Sequence, residues 1–332
     1  VRDMMKGNNR GIALFLVLWV LALLMVIVGE FCHAMRTEVN ITRNFKEETE
    51  AYYIALAGIN HAVVELLRNE RLPKNAEETD EVDPESAPWR VNVPSPAFPY
   101  GTGQYTVILG NEMGKINLNL ADDKLLRLLV GGFELTEEEV NVIVDSIQDW
   151  RDEDKFHRVN GAEDDYYQSL STPYHCKDGY FDSAEELLLV RGMTPELYFG
   201  GVGDRVTVFM EREESAAQKK ATKKKAVQRI NVNAASREVL GALPQMTEDL
   251  VSQILEYRKE KDFKVTSELA EILGPEVHAA VAPYLTFGLS PFYTILSTGE
   301  AGDGQVRERL SVTVVLDRRS PTGYRLLSWR EE

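Results

Sequence analysis

No proline interrupts the first 72 residues, and no charge falls among residues 12–29. The first absence leaves out the commonest helix breaker, and the second sets that stretch apart from an ordinary soluble helix. Basic residues are scarce, with 37 Lys and Arg against 53 Asp and Glu and a formal net charge of −16. A nucleic-acid partner needs a basic face to neutralise phosphate, so none is expected. Cysteines number two, Cys32 and Cys176. They lie far apart, one at membrane depth, and no internal disulfide is expected. The five histidines, His33, His61, His157, His175 and His278, show no metal spacing such as HExxH. No phosphate-cradling glycine loop and no nucleophile–base set stands out, so no catalytic residue and no enzyme is expected.

What is present begins with an apolar run, "IALFLVLWVLALLMVIVG". Eighteen residues at ~1.5 Å each nearly span a hydrocarbon core. Arg2, Lys6 and Arg10 precede the run. Positive flanks stay cytoplasmic, so the bulk of the chain is placed on the far side. A cleaved signal peptide would carry a small-x-small site after the run, and "GEFCHA" is a poor one. Beyond the run, Ile59, Ala62, Val63, Leu66 and Leu67 recur at helical spacing, with Tyr52, Ala55 and Leu56 extending the stripe backwards. This predicts one long helix over residues 12–72, with 12–31 in the membrane. Pro73 and the acidic, proline-bearing stretch after it end the helix.

Strands are predicted at both ends of a helical middle. Alternating Tyr105, Val107 and Leu109 give a strand over residues 103–119. "FYTILSTGE" and "ERLSVTVVLDRR" form a pair across Gly302-Asp303-Gly304, and "YRLLSW" adds a last strand. The middle is duplicated. "KINLNLADDKLLRLL" matches "RINVNAASREVLGAL", and each is followed by an acidic helix opened by threonine. Thr136-x-x-Glu139 and Ser183-x-x-Glu186 read as capping boxes, and Thr194-Pro195 as a helix start. Each copy closes on a short β-like run, "DRVTVFM" or "PYLTFG". The copies resemble helix-hairpin-helix or SAM-like modules. They lack the glycine-rich hairpin of the DNA-binding form and are acidic. Between them, "EREESAAQKKATKKKAVQ" reads as a flexible, solvated linker.

One loop departs from this pattern. Residues 149–182 hold nine acidic residues against four basic ones. They are mixed with Trp150, Phe156, Tyr166, Tyr167, Tyr174 and Tyr180. Calcium takes six to eight oxygens, which such a loop supplies well, but His157 stands where an EF-hand starting at Asp152 requires glycine. A solvated acidic loop is the other reading. An irregular stretch of this length calls for a staple of some kind.

These motifs together resemble one family. A short basic leader ending in glycine before a retained apolar helix is similar to the type IV pilins and pseudopilins. "W.D.D", "GAED.YY", "PY" and "S.EEL..V.GM.P.LY", with the paired "INLN" and "INVNAAS", resemble the K-type minor pseudopilins of type II secretion. The resemblance implies an α+β fold: a pilin-like long N-terminal helix plus antiparallel sheet, with a large inserted all-α domain of two SAM-like or helix-hairpin-helix-like repeats. The implied parts are a leader (1–11), the helix (12–72), the first part of the sheet (73–119), a first helical repeat with the acidic loop (120–210), the linker (211–228), a second repeat (229–287) and the closing strands (288–332).

It further implies cleavage by a prepilin peptidase between Gly11 and Ile12. Leu16 falls at the fifth mature position, where the family's stacking subunits carry glutamate, and an apolar residue there marks the subunit with nothing above it. The expected role is a minor pseudopilin at the tip of the pseudopilus. Its partners would be the I-type and J-type minor pseudopilins, the major pseudopilin and the inner-membrane secretion platform. The protein would cross the bacterial inner membrane once, with its bulk in the periplasm. Structural calcium is implied in the inserted domain, with Asp152, Asp154, Glu163, Asp164 and Asp165 as its expected ligands. The alternatives are a membrane-anchored periplasmic enzyme or a minor pilin of a type IV pilus.

Overall fold

The computed structural model describes residues 9–71, 89–209, 228–302 and 304–331. Most of the leader, the acidic stretch after Arg71 and all but the last residue of the linker lie outside the described residues. Helix α1 (Asn9–Arg71) runs unbroken for 63 residues, roughly 95 Å at ~1.5 Å per residue. In its N-terminal half, the side chains of residues 13–44 are all exposed. That half includes a stretch apolar and long enough to cross a membrane. From Ala51 onward the helix lies on a sheet. Ala51, Ile54, Ala55, Ile59, Ala62, Val63 and Leu66 are buried there, at the spacing of one helical face. Fully burying each of the larger side chains contributes about 1.5–3 kcal/mol.

The sheet follows α1. Strands β1 (Phe98–Tyr100) and β2 (Gly103–Asn111) form its first hairpin. Then the chain leaves through two-residue strands β3 (Ile116–Asn117), β4 (Val206–Thr207), β5 (Ile230–Asn231) and β6 (Leu285–Thr286). It returns as β7 (Phe292–Ala301), β8 (Val306–Leu316) and β9 (Tyr324–Glu331). The order is β1-β2-β7-β8-β9, every pair antiparallel. Val107, Leu109, Ile295, Leu310, Val312 and Val314 face α1 and complete one core. A long helix on an antiparallel sheet, with helices between two of its strands, is the α+β architecture expected from the sequence.

The strand expected over residues 103–119 is shorter than that. It ends at Asn111, and Ile116–Asn117 pairs instead with Val206–Thr207 inside the helical domain. Asn111 is the reason. Its side chain accepts from Met113 N at 3.2 Å, turning the chain out of the sheet. The same side chain accepts from Ser290 N at 3.1 Å and donates to Ser290 O at 2.9 Å, just before β7 begins. One residue therefore holds the outgoing and returning chain together.

The helical domain has its own core and is built twice. Copy one has α2 (Asp123–Leu129) and α3 (Glu137–Arg151), followed by the short α4 (Asp164–Gln168), α5 (Pro195–Leu197) and α6 (Gly203–Arg205). Copy two has α7 (Arg237–Gly241), α8 (Glu248–Glu260) and α9 (Thr266–Val281). The side-chain oxygens of Asp122, Thr136, Ser236 and Thr247 cap the opening turns of α2, α3, α7 and α8; the Thr136–Glu139 capping box forms in full, while at Ser183 only the Glu186 half is made, its carboxylate accepting from Ser183 N at 3.2 Å. The paired "INLN" and "INVN" motifs do identical work. Asn119 accepts from Phe181 N at 2.7 Å and donates to Phe181 O at 3.0 Å. Asn233 does the same to Phe263, at 2.9 Å each way. Each asparagine replaces a missing strand, satisfying backbone groups that burial would otherwise leave unpaired.

Asn119→Ala should destabilise the domain by about 2 kcal/mol, because it strands the Phe181 amide and carbonyl in the core. Denaturant unfolding measures this, and an unchanged midpoint would contradict the assigned role.

Candidate metal centre in the acidic insertion

The repeat locates the acidic loop. Arg151 at the end of α3 corresponds to Arg258 near the end of α8, since both guanidinium groups bond carbonyls at the start of their own copy, Leu118 and Ala121 for one, Ala235 for the other. Phe181 corresponds to Phe263. Copy two bridges these points with residues 259–262, and copy one with residues 152–180. The acidic loop is an insertion in one copy of a repeated module.

Aromatic rings staple it. Trp150 and Tyr167 meet edge-on at 5.3 Å, and Tyr174 lies 5.3 Å from Tyr167. Tyr167 is fully buried, and its hydroxyl accepts from Arg191 N at 3.2 Å. Phe156 and Tyr180 stay exposed.

Within this staple the carboxylates converge unevenly. Asp149 is wholly buried and bonded to Arg158 Nη1 at 2.5 Å, and Arg158 also reaches Asp152 Oδ2 at 2.7 Å. Burial is the main effect on Asp149 and pushes its carboxyl upward, against the pull of Arg158. Gly161 makes this approach possible, because a Cβ there would sit 1.8 Å from Asp149 Oδ2. Glu163 is 4% exposed. Its carboxyl is pushed up to about 7, first by burial and then by Asp178, against a downward pull from the neighbouring Cys176 thiol and with smaller upward effects from Asp149 and Asp152. Glu163, Cys176 and Asp178 bring one donor atom each within 4.8 Å of one another. Burial first, then Glu163 and Asp178, pushes the Cys176 thiol up to about 12.

Three oxygens here lack any hydrogen-bond partner while buried: Asp152 Oδ1, Glu163 Oε1 and Asp178 Oδ1. Unpartnered buried carboxylate oxygens are costly, and a cation satisfies them. The residues therefore fit a divalent ion.

Of the five ligands expected from the sequence, the structure brings Glu163 to this cluster, while Asp152 is held by Arg158 with its Oδ1 buried and unpartnered. The other three serve the loop's backbone. Asp154 accepts from Phe156 N at 2.9 Å, Asp165 from Tyr166 N at 2.9 Å, and Asp164 from Cys176 N at 2.8 Å. Asp178 and Cys176 are the members that sequence reasoning missed. "CKDG" carries an Asp-Gly turn signal, and Asp178 takes the left-handed φ of 48° that such a turn uses. Elsewhere, Gly11 and Ile12 lie in the first turns of α1, and Leu16 is exposed on it at 58%.

The helix, sheet and duplicated insertion define the class: an α+β protein with a long N-terminal helix on an antiparallel sheet and a helical domain between two strands. The comparisons make it more particular. The family model for the type II secretion system (T2SS) protein K matches residues 112–199. The chain is 26% identical over 207 residues to the type II secretion system protein K of Aeromonas hydrophila, covering 57% of this chain and 60% of that one. It is 25% identical over 214 residues to the protein of the same name from Pectobacterium carotovorum subsp. carotovorum, covering 58% and 61%. The matches thus span about three-fifths of the length of these curated relatives. A chain of the crystal structure of the GspK-GspI-GspJ complex, from the enterotoxigenic Escherichia coli Type 2 Secretion System, superposes with a TM-score of 0.58 at 19% identity, covering 88% of this chain and 99% of that one. The resemblance to the K-type minor pseudopilins is borne out by this family model and by these similarities to type II secretion K proteins.

Proposed function

We propose that this chain is a minor pseudopilin that caps the tip of a type II secretion pseudopilus, starts its assembly and so supports export of folded proteins across the outer membrane. The observation that carries this is the helical domain itself, hung between β2 and β7 with a core of its own. A folded unit of ~160 residues has a radius of gyration near 15 Å. That is too wide to repeat every few ångströms along a tight filament, yet easily held at an end. Leu16 agrees, since an apolar side chain there asks for no charged partner above it. In this reading the exposed half of α1 anchors the chain in the inner membrane, with the bulk of the chain periplasmic. It then packs beside the helices of I-type and J-type partners as major subunits add below, on the secretion platform.

The test mixes the periplasmic parts of the minor pseudopilins and measures complex mass. One copy of this chain per complex is expected. Self-polymerisation, or many copies along isolated filaments, would refute the tip role.

Processing belongs to the same reading. A prepilin peptidase cuts between Gly11 and Ile12, and Gly11→Val leaves the leader attached because a branched side chain blocks the scissile position. N-terminal sequencing of membrane-purified protein reads both results, and a cut elsewhere would exclude this site.

Calcium completes it. Asp152, Glu163 and Asp178 would hold the ion through their unpartnered oxygens, with loop carbonyls or water filling the remaining positions. Its chemistry is structural: it replaces the missing hydrogen bonds and neutralises carboxylates that otherwise repel.

A further inference from the structure

We propose that Cys176 is a metal ligand, and that the Glu163–Cys176–Asp178 pocket binds a thiophilic divalent cation of the zinc and cadmium class through its thiolate. A thiol in a calcium site is out of place, since calcium selects oxygen while thiolates select zinc and its heavier neighbours. Yet Cys176 Sγ lies within 4.8 Å of the donor oxygens of both Glu163 and Asp178. Zn–S near ~2.3 Å and Zn–O near ~2.0–2.2 Å place the donors of one tetrahedral site about 3.5 Å apart, inside that reach.

The second observation is independent of the sulfur. Glu163 is 4% exposed, and its Oε1 has no hydrogen-bond partner. Asp178 Oδ1 is likewise buried and unpartnered. Cys176 sits at the edge of the domain's apolar core, and its sulfur also lies within 4.8 Å of donor oxygens of two carboxylates, each of which has a buried oxygen without a partner.

The binding step is a simple exchange. The S–H bond breaks, its proton passes to water, and a sulfur–metal bond forms with no change of oxidation state. Glu163 and Asp178 complete the protein ligands, and water takes the fourth position. The proposal does not depend on the secretion role or on calcium. A chain bearing this site responds to two classes of cation, a hard one through oxygens alone and a soft one through oxygens and sulfur.

The test uses the full chain purified in detergent and stripped with chelator. Cys32 is a second, exposed thiol, so Cys32→Ser serves as the reference protein. Titration with cadmium should develop the ultraviolet sulfur-to-cadmium charge-transfer band, saturating at one ion per chain, and added zinc should bleach it. Changing Cys176→Ser in the same background should abolish the band and weaken zinc binding roughly tenfold or more. The calcium-dependent melting shift should survive this change. No band in the reference protein, or unchanged zinc affinity after Cys176→Ser, would overturn the proposal. Loss of the calcium shift alone, with the cadmium band intact, would refute the calcium reading and leave this one standing.

Discussion

Calcium at ~1,000 times its dissociation constant should stabilise the detergent-purified chain by ~4.1 kcal/mol. Each kcal/mol moves the midpoint of a domain this size by about 2–4 °C, so a shift on the order of 10 °C is expected, reversed by chelator. The pH dependence follows from Glu163. Unfolded, its carboxyl titrates near 4.5. Folded and metal-free, it holds its proton up to about 7. Between those values the folded state carries the extra proton, so metal-free stability rises as pH falls from about 7 towards 4.5. A cation competes with that proton, so calcium binding weakens over the same descent. Melting in chelator and in calcium should therefore show opposite pH trends. Glu163→Gln removes the buried charge. It should raise metal-free stability at pH 8 and abolish most of the calcium shift. Parallel pH trends with and without calcium would refute the assignment of Glu163 as a ligand.

Gly299→Val should cost at least ~3 kcal/mol, the upper range for overpacking a filled core. A Cβ on Gly299 would stand 2.2 Å from Ala51 O and 2.4 Å from Ala55 N. Both are backbone atoms of α1, so no rotamer change relieves the overlap. Either α1 lifts from β7, exposing the core formed by Ile54, Ile59 and Ile295, or β7 shifts and breaks its ladder with β2. Loss of the cooperative melting transition, or a midpoint lower by roughly 10 °C, is the expected reading. Wild-type stability would mean that α1 does not pack as described.

These features were unequally legible. The buried face of α1 follows from its period, because a helix on a sheet repeats the same contact every turn. The duplicated domain was visible for a similar reason: Asn119 and Asn233 meet the same backbone need in both copies. The end of β2 was not. Asn111 stops the strand by bonding Ser290, a partner far along the chain that no local pattern announces. The candidate metal centre lies between these cases. Acid clustering pointed to Asp152 and Glu163, since a solvated face rarely concentrates charge so tightly. Clustering alone does not separate a carboxylate aimed inward from one capping a turn, and Asp154, Asp164 and Asp165 are of the second kind. Cys176 and Asp178 depend on the fold of the loop, which the Trp150–Tyr167–Tyr174 packing sets.

The Asn111–Ser290 clamp also bears on how the chain finds its structure. Strands β2 and β7 are neighbours in the sheet, yet the whole helical domain separates them in sequence. Closing a flexible loop of ~180 residues costs about 3 kcal/mol more in chain entropy than closing an ordinary hairpin of ~4. That difference disappears once the domain has folded, because its two ends then emerge side by side. The sheet is thereby relieved of a long-range search, and the excursion that looks like a burden on the sheet acts as the turn of its β2–β7 hairpin.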